Sequence, residues 1–254
     1  PIIYGFTLLM PPMTSSVSGS ANAGPAWLML TADKDAVVNC NITSPSSSCA
    51  DDNEANTNFS DTSTIVSRYN ISTSFFDVSQ SYFHFSLPEL PQGTTVEQAY
   101  ITLNDVENLI TPSQDSVPIG YALGPWNTDL ITWNNQPNPY FDGDLNYSIR
   151  PFTEQFKWRG HPNSIANYIN SIYSGARLNN GFILAKGSGH HARGFRSVNS
   201  GFDAPRLYLQ VNSTAGLNAT NVNMPAPPPD MEIASQLFIC EGLSPPEDTN
   251  FSVD

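Results

Sequence analysis

Three groups of side chains in this sequence are of types that do chemistry, and their spacing decides what each can do. In GSGHHARGFRS, His190 and His191 are of the type that binds zinc or carries protons. Neighbours in an extended segment point to opposite sides, so the two imidazoles cannot share a metal ion, and the stretch reads as a solvated loop between strands. Asp51, Asp52, Asn53 and Glu54 offer the hard oxygen ligands that calcium takes, as do Asp142 and Asp144 on either side of Gly143. Neither cluster has the spacing of an EF-hand loop, and both read as exposed acidic turns. No G-x-S-x-G elbow, H-E-x-x-H helix or Gly-rich phosphate loop occurs. Carboxylates are plentiful, but a glycosidase pair is defined by a separation in space that a sequence does not contain. The expectation is a protein that is not an enzyme and needs no metal and no cofactor.

Covalent chemistry is better marked. Cys40 and Cys49 bracket the polar loop CNITSPSSSC and can pair, leaving Cys240 in the apolar run LFIC as a buried thiol or an intermolecular bridge, of which the buried thiol is preferred. Asn-X-Ser/Thr sequons stand at Asn41, Asn58, Asn70, Asn146, Asn212, Asn218 and Asn250. A chain with this much Asn, Ser and Thr would carry roughly four by chance, so the motif supports a glycosylated surface without proving one. Glycans are expected first at Asn70, Asn212 and Asn218, at strand ends or in the tail.

Composition narrows the class. Lys plus Arg number 10 against 23 Asp plus Glu, and a net charge of −13 repels phosphate backbones and anionic membranes. Nucleic acid is excluded as a natural partner. Charged residues make up only 13%, so hydroxyls and amides keep the surface wet, while a hydrophobic share of 39% still allows a large core. No stretch approaches the ~18 apolar residues that cross a bilayer. The first residue is Pro1, as removal of a secretory signal peptide would leave it, so an extracellular protein, secreted or held at a cell surface, is expected.

The elements that must position these residues are mostly strands. PIIYGFTLLM is an apolar β-forming run stopped by Pro11 and Pro12, with Ile2, Ile3, Tyr4, Phe6, Leu8 and Leu9 as its sheet-forming residues. A small-residue linker follows to Ala26. From Trp27 short alternating runs begin: WLMLTA, STIVSRY, FFDVSQSYFHFSL, VEQAYITLNDV, VPIGYAL, NGFILA and PRLYLQV. In SYFHFSL, Phe83, Phe85 and Leu87 alternate with Tyr82, His84 and Ser86, so the first set faces a core with Ile101, Leu103, Ile183 and Leu207, and His84 reads as a surface or hydrogen-bonded residue. One helix interrupts the strands, with Ile165, Tyr168, Ile169, Ile172 and Tyr173 at helical spacing, Asn163 or Ser164 as its cap and Gly175 as its stop. After Val211 an Asn-, Thr- and Pro-rich spacer leads to a last apolar run from Ile233 to Cys240. The organisation is an arm over 1–26, a sandwich over 27–212 and a spacer with a terminal strand over 213–254.

Several segments occur in a familiar order. TADKDAVV and NTNFSDTSTIVSRY are followed by SYFHFSLPELPQGTTVEQAYITL, then PWNTDLITWNNQP, then LNNGFILAKG, GFRSVNS and APRLYLQV. On these the chain from about Trp27 to Asn212 resembles the DNRLRE domain, a secreted β-sandwich family also grouped with carbohydrate-binding modules. The likeness departs between Gly143 and Ser174 and covers neither end of the chain. It implies an all-β, jelly-roll-like β-sandwich, to which the residues themselves add one short amphipathic helix, an N-terminal strand arm and a C-terminal Pro-rich tail. ITWNNQP reads as a strand entering an Asn/Pro turn, with Trp126 and Trp133 packed inside in preference to stacking on a sugar.

The function read from these features is a structural subunit of an extracellular filament or surface assembly. Its partners are copies of itself, joined when residues Ile2 to Met10 complete a neighbour's sheet, since an apolar strand has to bury itself somewhere. Covalent glycans decorate it. The alternative is a carbohydrate-binding module whose partner is a polysaccharide. An accessory domain of a polysaccharide-active enzyme is a third class, weakened because these residues carry no catalytic domain.

Overall fold

Runs in which β-branched and aromatic residues recur form strands, and the turns fall where Pro, Gly and Asn collect. The computed structural model describes residues 25–42, 48–49, 52–71, 76–104, 106, 119–140, 151–152, 155–158, 164–184, 191–213 and 236–238. The expected assembly strand Ile2–Met10 lies outside the described residues, as do Asp51, Asp142, Asp144, Asn146, His190, Asn218, Cys240 and Asn250.

The strands are β1 (Pro25–Thr31), β2 (Lys34–Ile42), β3 (Thr64–Ile71), β4 (Phe76–His84), β5 (Thr94–Asn104), β6 (Ile119–Ala122), β7 (Pro139–Tyr140), β8 (Pro151–Phe152), β9 (Gln155–Trp158), β10 (Phe182–Leu184), β11 (His191–Arg196), β12 (Arg206–Ser213) and β13 (Gln236–Phe238). One helix, α1 (Ser164–Tyr173), lies between β9 and β10 in the chain. The first sheet runs β13-β1-β12-β5-β9-β8 and the second β11-β3-β4-β10-β6-β7, with β2 paired to β4 off that path. The fold is the expected all-β sandwich with one helix.

Inward-facing residues of both sheets make the core. Leu28, Leu30, Ile101, Leu103, Leu207 and Leu209 meet Ile65, Phe83, Phe85, Phe182 and Phe195, all at most 2% exposed. Phe83 lies 5.7 Å from Phe182 and 5.8 Å from Phe85 between ring centroids. Burying each Phe removes about 150–250 Å² of apolar surface from water, the dominant driving term. Helix α1 closes the layer with Ile165, Tyr168 and Ile169. Asn170 imitates a strand residue, accepting the Val96 N–H (3.0 Å) and donating to the Val96 carbonyl (2.8 Å). The helix stops at Gly175, whose φ of +74° a Cβ would strain.

Sheet two is buried on both faces, which corrects the one-faced expectation for SYFHFSL. Tyr82 and Ile183 are fully buried on the face away from the main core, with Ala36, Val38 and Ala122, beneath the loop that carries Trp126, Ile131 and Trp133. Ile183 therefore belongs to this outer layer and not to the space between the sheets. Leu87 lies beyond the end of β4 and is half-buried against the core. On the outer face of sheet one, Trp27, Met29, Tyr100 and Tyr208 form a third cluster, with Tyr100 stacked on Tyr208 at 4.8 Å.

Sheet edges are covered individually. Along β2, Val37 bridges Phe59, the Asn41 N–H donates to Asp52 Oδ2 (2.7 Å), and a disulfide joins Cys40 to Cys49. The short strands β7 and β8 each begin with a proline, which has no N–H to offer a neighbour. Inside sheet two, β3 leaves β4 at Ser81 and β10 takes its place; the Ser81 hydroxyl donates to the Val66 carbonyl and accepts the Val66 N–H, both at 2.7 Å.

Candidate functional site

An open groove of about 650 Å³ lies where the chain leaves β4 and meets the end of α1. Leu87, Pro88, Leu90, Ile172 and the Tyr173 ring form its apolar walls, and His84, Ser86, Glu89 and Asn179 supply the polar groups. The corner is held against the helix by Tyr173 Oη donating to the Pro88 carbonyl (2.9 Å) and Asn179 Nδ2 donating to the Phe85 carbonyl (2.8 Å). Proline at 88 and 91 sets the backbone of the corner without demanding donors.

Behind the groove Asp33 holds two of its polar residues. One carboxylate oxygen is 2.7 Å from His84 Nδ1 and the other accepts the Ser86 hydroxyl. Burial pushes the Asp33 carboxyl up, but the His84 and Ser86 hydrogen bonds and the His84 charge outweigh it, and the group ends below the ordinary carboxylate range. The order of these groups matters chemically. The carboxylate sits between serine and histidine, so His84 takes no proton from Ser86 and the trio is not a nucleophile–base relay. It fixes the imidazole and leaves Nε2 as the ring nitrogen for a ligand.

A second surface feature adjoins the groove across the loop from Ser174 to Asn180. Tyr121 stacks on Tyr168 at 4.3 Å and on Tyr140 at 4.9 Å, and the Arg177 guanidinium lies 4.7 Å from the Tyr121 ring and 5.4 Å from that of Tyr140. Burial raises the Tyr168 phenol to about 12. Gly181 anchors this loop; a Cβ there would sit 2.5 Å from the Phe83 carbonyl oxygen, and its φ is +79°.

The Trp-bearing signature is structural. Trp126 is buried against Tyr82, donates from Nε1 to the Asn180 carbonyl (2.8 Å), and is covered by Lys34 Nζ at 4.4 Å from its ring. Trp126 is 9% exposed, and Trp133 is half-buried against the same cluster. ITWNNQP holds a turn over Trp133–Asn135 and no strand, because side chains satisfy its backbone in place of a ladder. Asn135 accepts the Thr132 N–H and donates to the Leu130 carbonyl, Gln136 donates to the Trp133 carbonyl, and the one Tyr82 hydroxyl proton faces two acceptors, Gln136 Oε1 at 2.8 Å and the Pro137 carbonyl at 2.9 Å.

The other expected residues are dispersed. Asp52 binds backbone, accepting the N–H groups of Asn41 and Glu54, and Asn53 and Glu54 are exposed on a short 3-10 turn. Among the described residues no three His, Cys, Asp or Glu side chains converge on a metal position. His191 opens β11. Of the sequons, Asn41 is exposed on β2, Asn70 lies on β3, and Asn212 on β12 donates to Glu97 Oε1 (2.9 Å). Asn58 is spent: Nδ2 donates to the Thr128 and Ile131 carbonyls (2.7 and 2.8 Å), and Oδ1 accepts from Ser60. A glycan there would replace a hydrogen that the fold uses.

Sequence reasoning missed Asp35. It is 1% exposed; Oδ2 accepts the Val198 N–H at 2.7 Å and Oδ1 has no partner. Burial raises its carboxyl to about 7, against which the single backbone bond counts little.

Among known families, the sequence model of carbohydrate-binding module family 96 matches residues 43–211. No curated protein matches the chain. No helix among the described residues is long and apolar enough to cross a membrane.

Proposed function

Because the chain belongs to carbohydrate-binding module family 96, we propose that it binds a polysaccharide and that the groove between the β4 corner and α1 receives the sugar chain. The observation that carries this is the division of the groove wall: apolar faces on Leu87, Leu90 and Tyr173 suit the C–H faces of a sugar ring, while His84, Glu89 and Asn179 suit its hydroxyls. The corner is already fixed by its own hydrogen bonds, so little ordering opposes binding. On this reading the protein is a binder and not a catalyst, consistent with the placement of Asp33 between Ser86 and His84. It works outside the cell, for which the Cys40–Cys49 bond is the supporting feature. Affinity electrophoresis through gels containing a panel of soluble polysaccharides tests the proposal. At least one should retard the protein, and Glu89→Ala and Leu90→Ala should each weaken that retardation about tenfold while leaving Tm within a few degrees. Retardation by none, or equal retardation of all variants, overturns it.

A second reading is a subunit of an extracellular filament joined through Ile2–Met10. It is favoured by the position of β1, the strand to which that arm leads: β13 covers Trp27–Met29, three of the seven residues of β1. Deleting residues 1–12 should abolish filaments in negative-stain images of material that otherwise forms them; filaments from the truncated chain would end this reading.

A further inference from the structure

We infer that the sugar chain does not end in the groove: it continues over the loop from Ser174 to Asn180 and lays a further ring on Tyr140, with the Arg177 guanidinium beside it as hydrogen-bond donor. The inference rests on the groove as the sugar site and makes it a site that reads an extended run of sugar units.

Exposed apolar side chains gather along this route. Among the described residues the large apolar side chains that stand exposed are Leu123, Leu130, Tyr140, Tyr173 and Leu178. Four of the five belong to this loop or to its neighbours. Tyr173 walls the groove, Leu178 (74% exposed) lies in the chain between Asn179 of the groove and Arg177, and Arg177 covers Tyr121 and Tyr140. Leu123, two residues past Tyr121, donates its N–H to the Asn138 carbonyl (3.0 Å) in the row next to the Tyr121 and Tyr140 pair. Exposed apolar residues scattered singly need no explanation, whereas a run of them marks a surface that a partner covers.

The two ends of the route are close enough for one sugar chain. Arg177 and Asn179 are two residues apart, at most about 7 Å between their Cα atoms. Helix α1 gives the same scale. Tyr168, which stacks on Tyr121, and Ile172, which lines the groove, are about one turn apart, ~6 Å along the axis. A chain of rings leaving the groove past Asn179 therefore meets Tyr140 within a ring or two.

The chemistry repeats that of the groove wall, an apolar face beside polar groups. Tyr140 stacks on Tyr121 at 4.9 Å and is still 38% exposed. Arg177 brings a planar fork of N–H donors, and among the described residues no carboxylate or carbonyl is paired with them, in a chain with 23 acidic side chains against 10 basic ones. The loop backbone is fixed where the Arg177 N–H donates to the Ser171 carbonyl (3.0 Å), the Asn180 N–H to the Leu178 carbonyl (3.1 Å) and Trp126 Nε1 to the Asn180 carbonyl (2.8 Å). Ring and donor thus stand in place before a sugar arrives, and little ordering opposes its binding.

Titration calorimetry with size-fractionated oligosaccharides, from disaccharide to octasaccharide, tests this; the fragments are cut by partial acid hydrolysis from the polysaccharide that retards the wild-type protein most in affinity gels. Wild-type affinity should rise with length and then level off. Tyr140→Ala and Arg177→Ala should keep the affinity for the shortest fragments that bind and lose about tenfold on the longest, so that the rise disappears. Tyr140→Phe, which keeps the ring, should keep the rise, and Glu89→Ala should weaken all lengths alike. Unchanged short-fragment affinity also shows that the variants are folded. If Tyr140→Ala and Arg177→Ala bind the longest fragments as tightly as wild type, the sugar chain ends in the groove, and the inference is overturned while the groove reading stands. If Glu89→Ala and Leu90→Ala change no length, or no polysaccharide is bound at all, the groove reading fails and takes the continuous route with it.

Discussion

Replacing Asp35 by Asn should make the protein's stability much less sensitive to pH. The carboxyl rises from 3.8 to about 7 because folding removes it from water and returns only the Val198 N–H. At about 1.4 kcal/mol per pH unit, a rise of that size is roughly 4 kcal/mol. A raised pKa means that the folded state holds the proton more firmly than the unfolded chain. The stability linked to this group is therefore fully present below pH 3.8 and is lost as pH climbs through about 7. Asn keeps an oxygen for the Val198 N–H and never ionises. Its amide nitrogen falls where Oδ1 has no partner, so roughly 4 kcal/mol is an upper bound and about 2 kcal/mol is expected. Urea unfolding followed by tryptophan fluorescence at pH 3.5, 5, 6.5 and 8 measures it. The difference between variant and wild type should shift steadily in the variant's favour across that series. Asp33, whose lowered pKa acts in the opposite sense at acid pH, is common to both chains and cancels. Parallel stability curves from pH 3.5 to 8 would refute the assignment of a buried, protonatable Asp35.

Three further outcomes are expected. Cys40→Ala with Cys49→Ala frees a loop of about ten residues and should cost about 3 kcal/mol in thermal or urea unfolding, with increased light scattering as the rim of β2 is uncovered. Trp126→Ala should cost about 3–5 kcal/mol while the folded fraction keeps its polysaccharide affinity; unchanged stability with lost affinity would make the indole a ligand platform instead. Asn58→Ala should cost about 1–3 kcal/mol by stranding the Thr128 and Ile131 carbonyls, and peptide mass mapping of glycosylated material should find Asn58 bare.

What could be read in advance follows physical range. Local rules worked: Phe83 and Phe85 are core, the helix over 164–173 falls at its apolar spacing, and Gly175 ends it with a positive φ. Two-residue alternation misled at Tyr82 and Ile183 because it presumes one wet face, and the loop over 123–138 removes that face. ITWNNQP has strand-forming residues, yet its backbone bonds go to Asn and Gln side chains, a competition that propensity does not weigh. Asp35 was illegible because an Asp in a polar-looking TADKDAVV gives no sign of burial. The groove joins residues 84–90 to 172–179, and no local pattern links segments so far apart in the chain.

The Cys40–Cys49 bond at the end of β2 has a consequence for the order of events when the protein is made. The prolines that begin β7 and β8 protect their rims from the moment the strands form, since no reaction is needed to remove an N–H that was never there. The guard on β2 matures only with oxidation. A newly folded, still reduced chain would have a less firmly guarded rim at the time when its neighbours are most crowded. Oxidation of the two cysteines, nine residues apart, should therefore precede concentration.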